Sequence, residues 1–182
     1  FQCVGSRDQA AGNLYCSQVC CAYALRLIKM IRHTYPDITI AFHYMDIQPA
    51  GVHFANFLSK CKDDKNIRFI RSIPSKVYHA PATDSLSVKF VDSDQGEVRE
   101  EHFDMVILSV GMTLKKEAKL TADLLGMAFD DDGFIEGSQS KEGIFATGAC
   151  TGPKDIERSV TQAKSTAANV YQYVIGSGFR EH

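Results

Sequence analysis

Along this chain the spacing of apolar residues changes period several times, and each change marks an element. Residues 1–6, FQCVGS, read as the end of a buried strand running into a polar, glycine-containing loop. From Ser17 onward Val19, Tyr23, Leu27, Met30 and Ile31 recur at helical spacing, with Ser17 as the N-cap, and the helix should stop before Pro36. DITIAFHYMD (37–46) is a continuous run rich in β-branched and aromatic residues, the pattern of a central parallel strand. HFANFLSKCK (53–62) reads as a second helix and IRFIRSI (67–73) as a third strand. The order strand–helix–strand–helix–strand predicts the first half of a doubly wound α/β sheet.

Beyond it the pattern alternates. SLSVKFVDS (85–93) and GEVREEHF (96–103) flank a turn at Asp94-Gln95 and predict an antiparallel meander. DMVILSVGM (104–112) reads as a wholly apolar strand ending at Gly111, followed by a polar helix over 114–125 and a tight acidic turn at DDDGF (130–134). GIFATGAC (143–150) is predicted as a strand opening into a glycine-rich loop. A long helix should follow over 155–176, with Asp155 near its start and Gly176 at its end. Val160, Ala163, Ala167, Val170 and Val174 form a narrow stripe along it.

Composition narrows the function classes. The chain has 182 residues, 45% hydrophobic and 23% charged, with net charge −2. That is enough for one substantial core or a domain plus an appendage. No face-sized run of Lys or Arg points to nucleic acid, and no apolar stretch approaches the roughly 20 residues of a membrane span. The chain opens at Phe1, in what reads as mid-strand, and is expected to be a piece of a longer protein.

Six cysteines stand at positions 3, 16, 20, 21, 61 and 150. The vicinal pair Cys20-Cys21 is an awkward disulfide, and the apolar supply is ample, so a reducing, cytoplasmic setting is expected. A nucleotide-binding first turn needs several glycines to let backbone approach a pyrophosphate. Here Gly5 is present, but no G-x-G-x-x-G follows, and the loop is some ten residues too long. Asp46 ends its strand where a ribose-binding carboxylate would sit, and equally reads as a solvated strand-end acid.

The spacing C-x12-C-x3-C-C instead places Cys16, Cys20 and Cys21 at one helix start, with Cys16 and Cys20 a turn apart. The helix N-terminus favours thiolates there, and Cys3 comes close if the loop folds back. Four such thiolates suit an iron–sulfur cluster or a zinc ion. Iron–sulfur leads, because C-x3-C-C is not a zinc knuckle. Cys61 and Cys150 read as core thiols.

FQCVGSRD with YCSQVCCAYAL, YMDI (44–47), VILSVGM (106–112) and GIFATGACTGPKDIERSVTQA (143–163) resemble the A-type flavoprotein subunit of heterodisulfide reductases. They are equally similar to the related flavin subunits of the quinone-interacting membrane-bound oxidoreductase complex. The resemblance covers nearly the whole chain. It implies a fold like thioredoxin reductase: residues 1–112 a Rossmann-like homologue of the nicotinamide domain, and 113–182 the C-terminal part of an FAD domain. It also implies that Cys3, Cys16, Cys20 and Cys21 hold a [4Fe–4S] cluster in place of the nicotinamide site. Gly148, Ala149, Cys150, Gly152, Pro153, Lys154 and Asp155 would form part of an FAD site, with backbone N–H groups from Gly152 to Asp155 toward the flavin and Lys154 stabilising its reduced form. Disulfide reductases generally carry Asp where this chain has Ala149.

The first FAD motif is missing, so FAD is expected in the full-length parent and not in this piece. The expected function is electron relay between flavin and partner-subunit clusters, without turnover in the isolated chain. The alternatives are a nicotinamide-dependent flavin disulfide reductase domain and a structural zinc or docking module. The expected partners are the other subunits of such a complex and a second copy of the chain through the uncovered 155–176 stripe, with no nucleic acid and no membrane insertion.

Overall fold

Residues 1–48, 53–137 and 143–176 are described by the computed structural model of the chain. They divide into one unit of Phe1–Gly12 with Val19–Gly111 and another of Asn13–Gln18 with Met112 onward. Residues 13–18, expected with the first domain, therefore group with the second.

In the first unit, α1 (Cys20–Thr34) and α2 (Phe54–Lys62) pack beside the parallel pair β1 (Ile40–Tyr44) and β2 (Ile67–Arg71), paired from Ile40 with Ile67 to Tyr44 with Arg71. Leu25 and Cys61 are sealed in this core, with Ile28, Phe42, Phe54 and Ile67 around them. Each large apolar side chain so buried contributes about 1.5–3 kcal/mol. Backbone bonds extend the sheet: Gln2 N donates to His43 O, Val4 N to Ser109 O, and Gly111 N to Val4 O. Residues 1–4 thus lie between β1 and 107–111.

β3 (Pro74–Ala80), β4 (Ser85–Asp92) and β5 (Glu97–Phe103) form an antiparallel sheet in that order. Val88 and Phe90 of β4 are fully buried against Ile70, with Phe1, Phe103 and Val106 alongside.

The second unit holds α3 (Lys116–Leu124), a 3-10 turn at Gly148–Thr151 and α4 (Ile156–Gly176). Its core is Ala122, Ile135 and Ala146. The acidic turn forms as predicted: Asp130 Oδ1 accepts the amides of Asp132 and Phe134, and Gly133, at φ 80°, closes it. Asp155 caps α4, its carboxylate accepting the Arg158 amide at 2.8 Å.

Several expectations are corrected. Ser17 does not cap α1. The N-cap is Val19, without a side-chain bond, and Ser17 is buried, accepting the Met112 amide at 2.8 Å. The inward face of α1 is Cys21, Ala24, Leu25 and Ile28, whereas Tyr23, Leu27 and Met30 are exposed. Residues 104–112 form one isolated bridge, Val4 with Val110, instead of a strand. Met105, Ile107 and Leu108 remain exposed because nothing within the described residues covers that edge. Residues 143–150 are not a strand but run into the 3-10 turn. β3 was not anticipated. It is mostly exposed and begins at Pro74, beside a register shift, so it lacks the alternation of a half-buried strand. Among the described residues of α4 none is buried, and the Val160, Val170 and Val174 stripe lies open to solvent.

Candidate functional site

In the first unit the segment after Cys3 is a folded element and not a slack connection. Cys3, Gly5 and Arg7 all take positive φ, at 59°, 68° and 55°. Such values are rare for side-chain-bearing residues and concentrate at functional sites. Ser6 N donates to Cys3 O at 3.2 Å, and the Asp8 carboxylate receives the Ala10 and Ala11 amides. Arg7 donates to the carboxylate of Asp46 at 2.5 Å. The guanidinium holds the Asp46 carboxyl below its usual range. The strand-end acid is thus occupied by an arginine of the chain's own loop.

Cys20 and Cys21 are the first two residues of α1, both buried. Backbone N–H groups in a first turn lack helical acceptors and carry partial positive charge, which stabilises a sulfur anion. The Cys20 thiol donates to Val110 O at 3.7 Å, and the Tyr23 phenol donates to the same oxygen at 2.8 Å. Burial first, and the neighbouring Cys20 second, push the Tyr23 pKa up to about 12.

Cys16 belongs to the second unit and stands ahead of α1, so it does not share a helical turn with Cys20 as expected. Its sulfur receives the Gln18 amide at 3.3 Å, with Gln18 at φ 60°. An amide donated to sulfur two residues back suits a thiolate. The segment is pinned by Tyr15, whose hydroxyl donates to Met112 O at 2.8 Å and whose ring meets the Phe134 ring edge-on.

None of the six cysteines is in a disulfide. Among the described residues no three His, Cys, Asp or Glu side chains are gathered into a group able to hold a metal ion. What is present are separate thiolate-favouring surroundings: an amide donated to Cys16, and a helix N-terminus at Cys20 and Cys21. Cys61 is sealed in the first core, where burial pushes its thiol pKa up.

In the second unit the loop expected to meet FAD is organised around Gln162, a residue the sequence reading missed. Its Oε1 accepts the Gly148 amide at 2.9 Å, and its Nε2 donates to Thr151 Oγ1 at 2.9 Å. Gly148 and Gly152 take φ of 80° and 121°, which favours glycine at both. Lys154 folds back, donating to Thr151 O at 2.7 Å and to Thr151 Oγ1 at 2.9 Å. Cys150 packs on the core of Ala122, Ile135 and Ala146, its thiol donating to Thr147 O. Pro153 and Asp155 precede α4, which begins at Ile156, so 152–155 form its approach and not its first turn.

No protein-family model matches the chain. It is 39% identical over 176 residues to an A-type iron-sulfur subunit (form 2) of the CoB–CoM heterodisulfide reductase of Methanopyrus kandleri, covering 92% of this chain and 27% of that protein. It is 36% identical over 178 residues to the A-type subunit of the H2/formate:CoB–CoM heterodisulfide,ferredoxin reductase of Methanococcus maripaludis, covering 93% of this chain and 27% of that one. Among solved structures, thioredoxin reductase of Lactococcus lactis (FR conformation) matches with a TM-score of 0.55 and 22% identity. That match covers 76% of this chain and 46% of the other. It shows the fold: α/β, of the flavoprotein type with two dinucleotide-binding domains. The chain spans about a quarter of the length of the curated relatives it matches. Over that shared stretch it belongs to the family of A-type heterodisulfide reductase subunits.

Proposed function

We propose that the chain is the electron-relay portion of an iron–sulfur flavoprotein oxidoreductase of the heterodisulfide reductase type. Cys3, Cys16, Cys20 and Cys21 are its [4Fe–4S] ligands, and the 148–155 loop is one side of an FAD site completed elsewhere in the parent. The observation that carries this reading is the exchange of a glycine phosphate loop for a cysteine loop, in which Arg7 already occupies the Asp46 carboxylate. When bound, the cluster supplies one-electron transfer. The chain's own residues bring thiolates, a helix N-terminus at Cys20 and an amide from Gln18 to Cys16. The isolated chain relays without turning over substrate, and its partners are the other subunits of a cytoplasmic complex. Among the described residues no helix is long and apolar enough to cross a membrane.

The test is iron and acid-labile sulfide content, with a visible spectrum, after oxygen-free reconstitution. Equal iron and sulfide, lost in Cys16→Ser and Cys20→Ser, supports the relay. Zinc uptake would favour a docking module instead. Saturable NADH binding without iron would favour the nicotinamide-dependent disulfide reductase.

A further inference from the structure

Two sets of contacts within the second unit join Cys16 to the Gly148–Thr151 turn. One is buried: the Tyr15 ring meets the Phe134 ring edge-on at 5.3 Å, and Phe134 is 1% exposed. The next residue, Ile135, donates its amide to Cys150 O at 2.9 Å, inside the turn. The other is polar. The Gln18 amide rests on the Cys16 sulfur at 3.3 Å, and the Gln18 side-chain Oε1 accepts from Arg158. Arg158 donates its own amide to the Asp155 carboxylate at 2.8 Å, on the approach that leaves the turn.

Gln18 stands at φ 60°, a conformation that a side-chain-bearing residue keeps only where its surroundings impose it. Arg158 holds it from one side. Tyr15, donating to Met112 O at 2.8 Å, fixes the segment from the other. Phe134 is set in turn by the Asp130 carboxylate, which accepts its amide at 2.8 Å. A displacement of the turn therefore reaches Cys16 through packed rings and hydrogen bonds. Because coupling between two places is reciprocal, a change at the sulfur returns to the turn.

We propose that Phe134 and Arg158 are positioning residues that couple Cys16 to the Gly148–Thr151 turn, so that whatever engages the sulfur is felt at the turn and the reverse. The coupling rests on the reading above only in taking these as two places where ligands act. It is a property of the chain's own residues and needs no bound group.

The experiment is amide hydrogen exchange on the metal-free chain, read at Gln18 and Gly148. Thr151→Val removes the turn's hydroxyl and should speed exchange at both amides by about two- to fivefold, the range set by single surface polar contacts. With Arg158→Gln the same change should still speed Gly148 but lose most of its effect at Gln18. Arg158→Lys, which keeps a donor for Gln18 Oε1, should restore the response. Phe134→Leu should weaken it likewise where the chain folds, and Arg158→Gln carries the test where it does not. In the other direction, iodoacetamide on Cys16 of a Cys3→Ser, Cys150→Ser chain should speed Gly148. Gln18 exchange indifferent to Thr151→Val, or equally responsive with and without Arg158, overturns the proposal. Iron and sulfide uptake, measured separately, decides the four-cysteine reading and leaves the coupling untouched.

Discussion

Arg7 and Asp46, 39 residues apart, meet in an ion pair of 2.5 Å that ties the cysteine loop to the residues following β1. In dinucleotide-binding sheets a carboxylate at that strand end meets a ribose hydroxyl. Here it is already satisfied from within the chain. The pair holds the Asp46 carboxyl below its ordinary value of 3.8. Its stabilisation is therefore full above that value and is lost as pH falls through the folded-state value. Asp46→Asn should flatten the acid limb of a thermal-midpoint profile between about pH 5 and 2. Arg7→Ala should also speed protease cleavage between residues 3 and 16. An unaltered cleavage pattern would mean that the pair does not hold the loop.

His43 should make stability depend on pH at a higher window. It is buried, its Nδ1 bonded to Ser72 Oγ at 2.7 Å, its ring edge-on to Phe1 and Phe90, and its Nε2 without a hydrogen-bond partner among the described residues. Burial lowers its pKa from 6.5 to about 4. The unfolded chain binds a proton between these values and the folded chain does not, so stability falls as pH drops from 6.5 to 4, by about 3 kcal/mol. Urea midpoints of His43→Phe measured across that range should lose the slope. A persisting slope assigns it to another group.

Cys61 should prove a packing residue. Cys61→Ser places a hydroxyl in an apolar core and should cost about 1–3 kcal/mol in denaturant titration, with iron uptake unchanged. Its native thiol should react with a disulfide reagent only on unfolding. Rapid labelling of the folded chain at this position would contradict the sealed core.

Gln162 holds the Gly148–Thr151 turn from α4. Gln162→Ala leaves the Gly148 amide without its acceptor and should cost about 1 kcal/mol. Hydrogen exchange at Gly148 should speed correspondingly while α3 stays protected. Equal exchange in both proteins would show that Thr151 alone suffices.

How far the sequence reached depends on the range of the information. β1 was legible because a run rich in β-branched and aromatic residues fits a covered strand, and β2 because Ile67, Phe69 and Ile70 cluster among exposed arginines in a short segment. The face of α1 was misread because large apolar residues, Tyr23, Leu27 and Met30, outweighed the small ones that turn inward, Cys21 and Ala24. Residues 104–112 and 143–150 carry strand-like composition without continuous pairing, which neighbouring chain decides and local pattern does not. The cysteines stood out by number and spacing. Arg7, Tyr23 and Gln162 act on partners 39, 87 and 14 residues away, which no short motif encodes.

Cys3 sits at φ 59°. A side chain in that conformation costs about 1–2 kcal/mol that glycine largely avoids. Cys3→Gly should therefore raise the melting temperature of the metal-free chain while abolishing its capacity for iron. Selection for durability alone would let the position drift to glycine. If its sulfur serves as the proposed ligand, fold and chemistry pull this single residue in opposite directions.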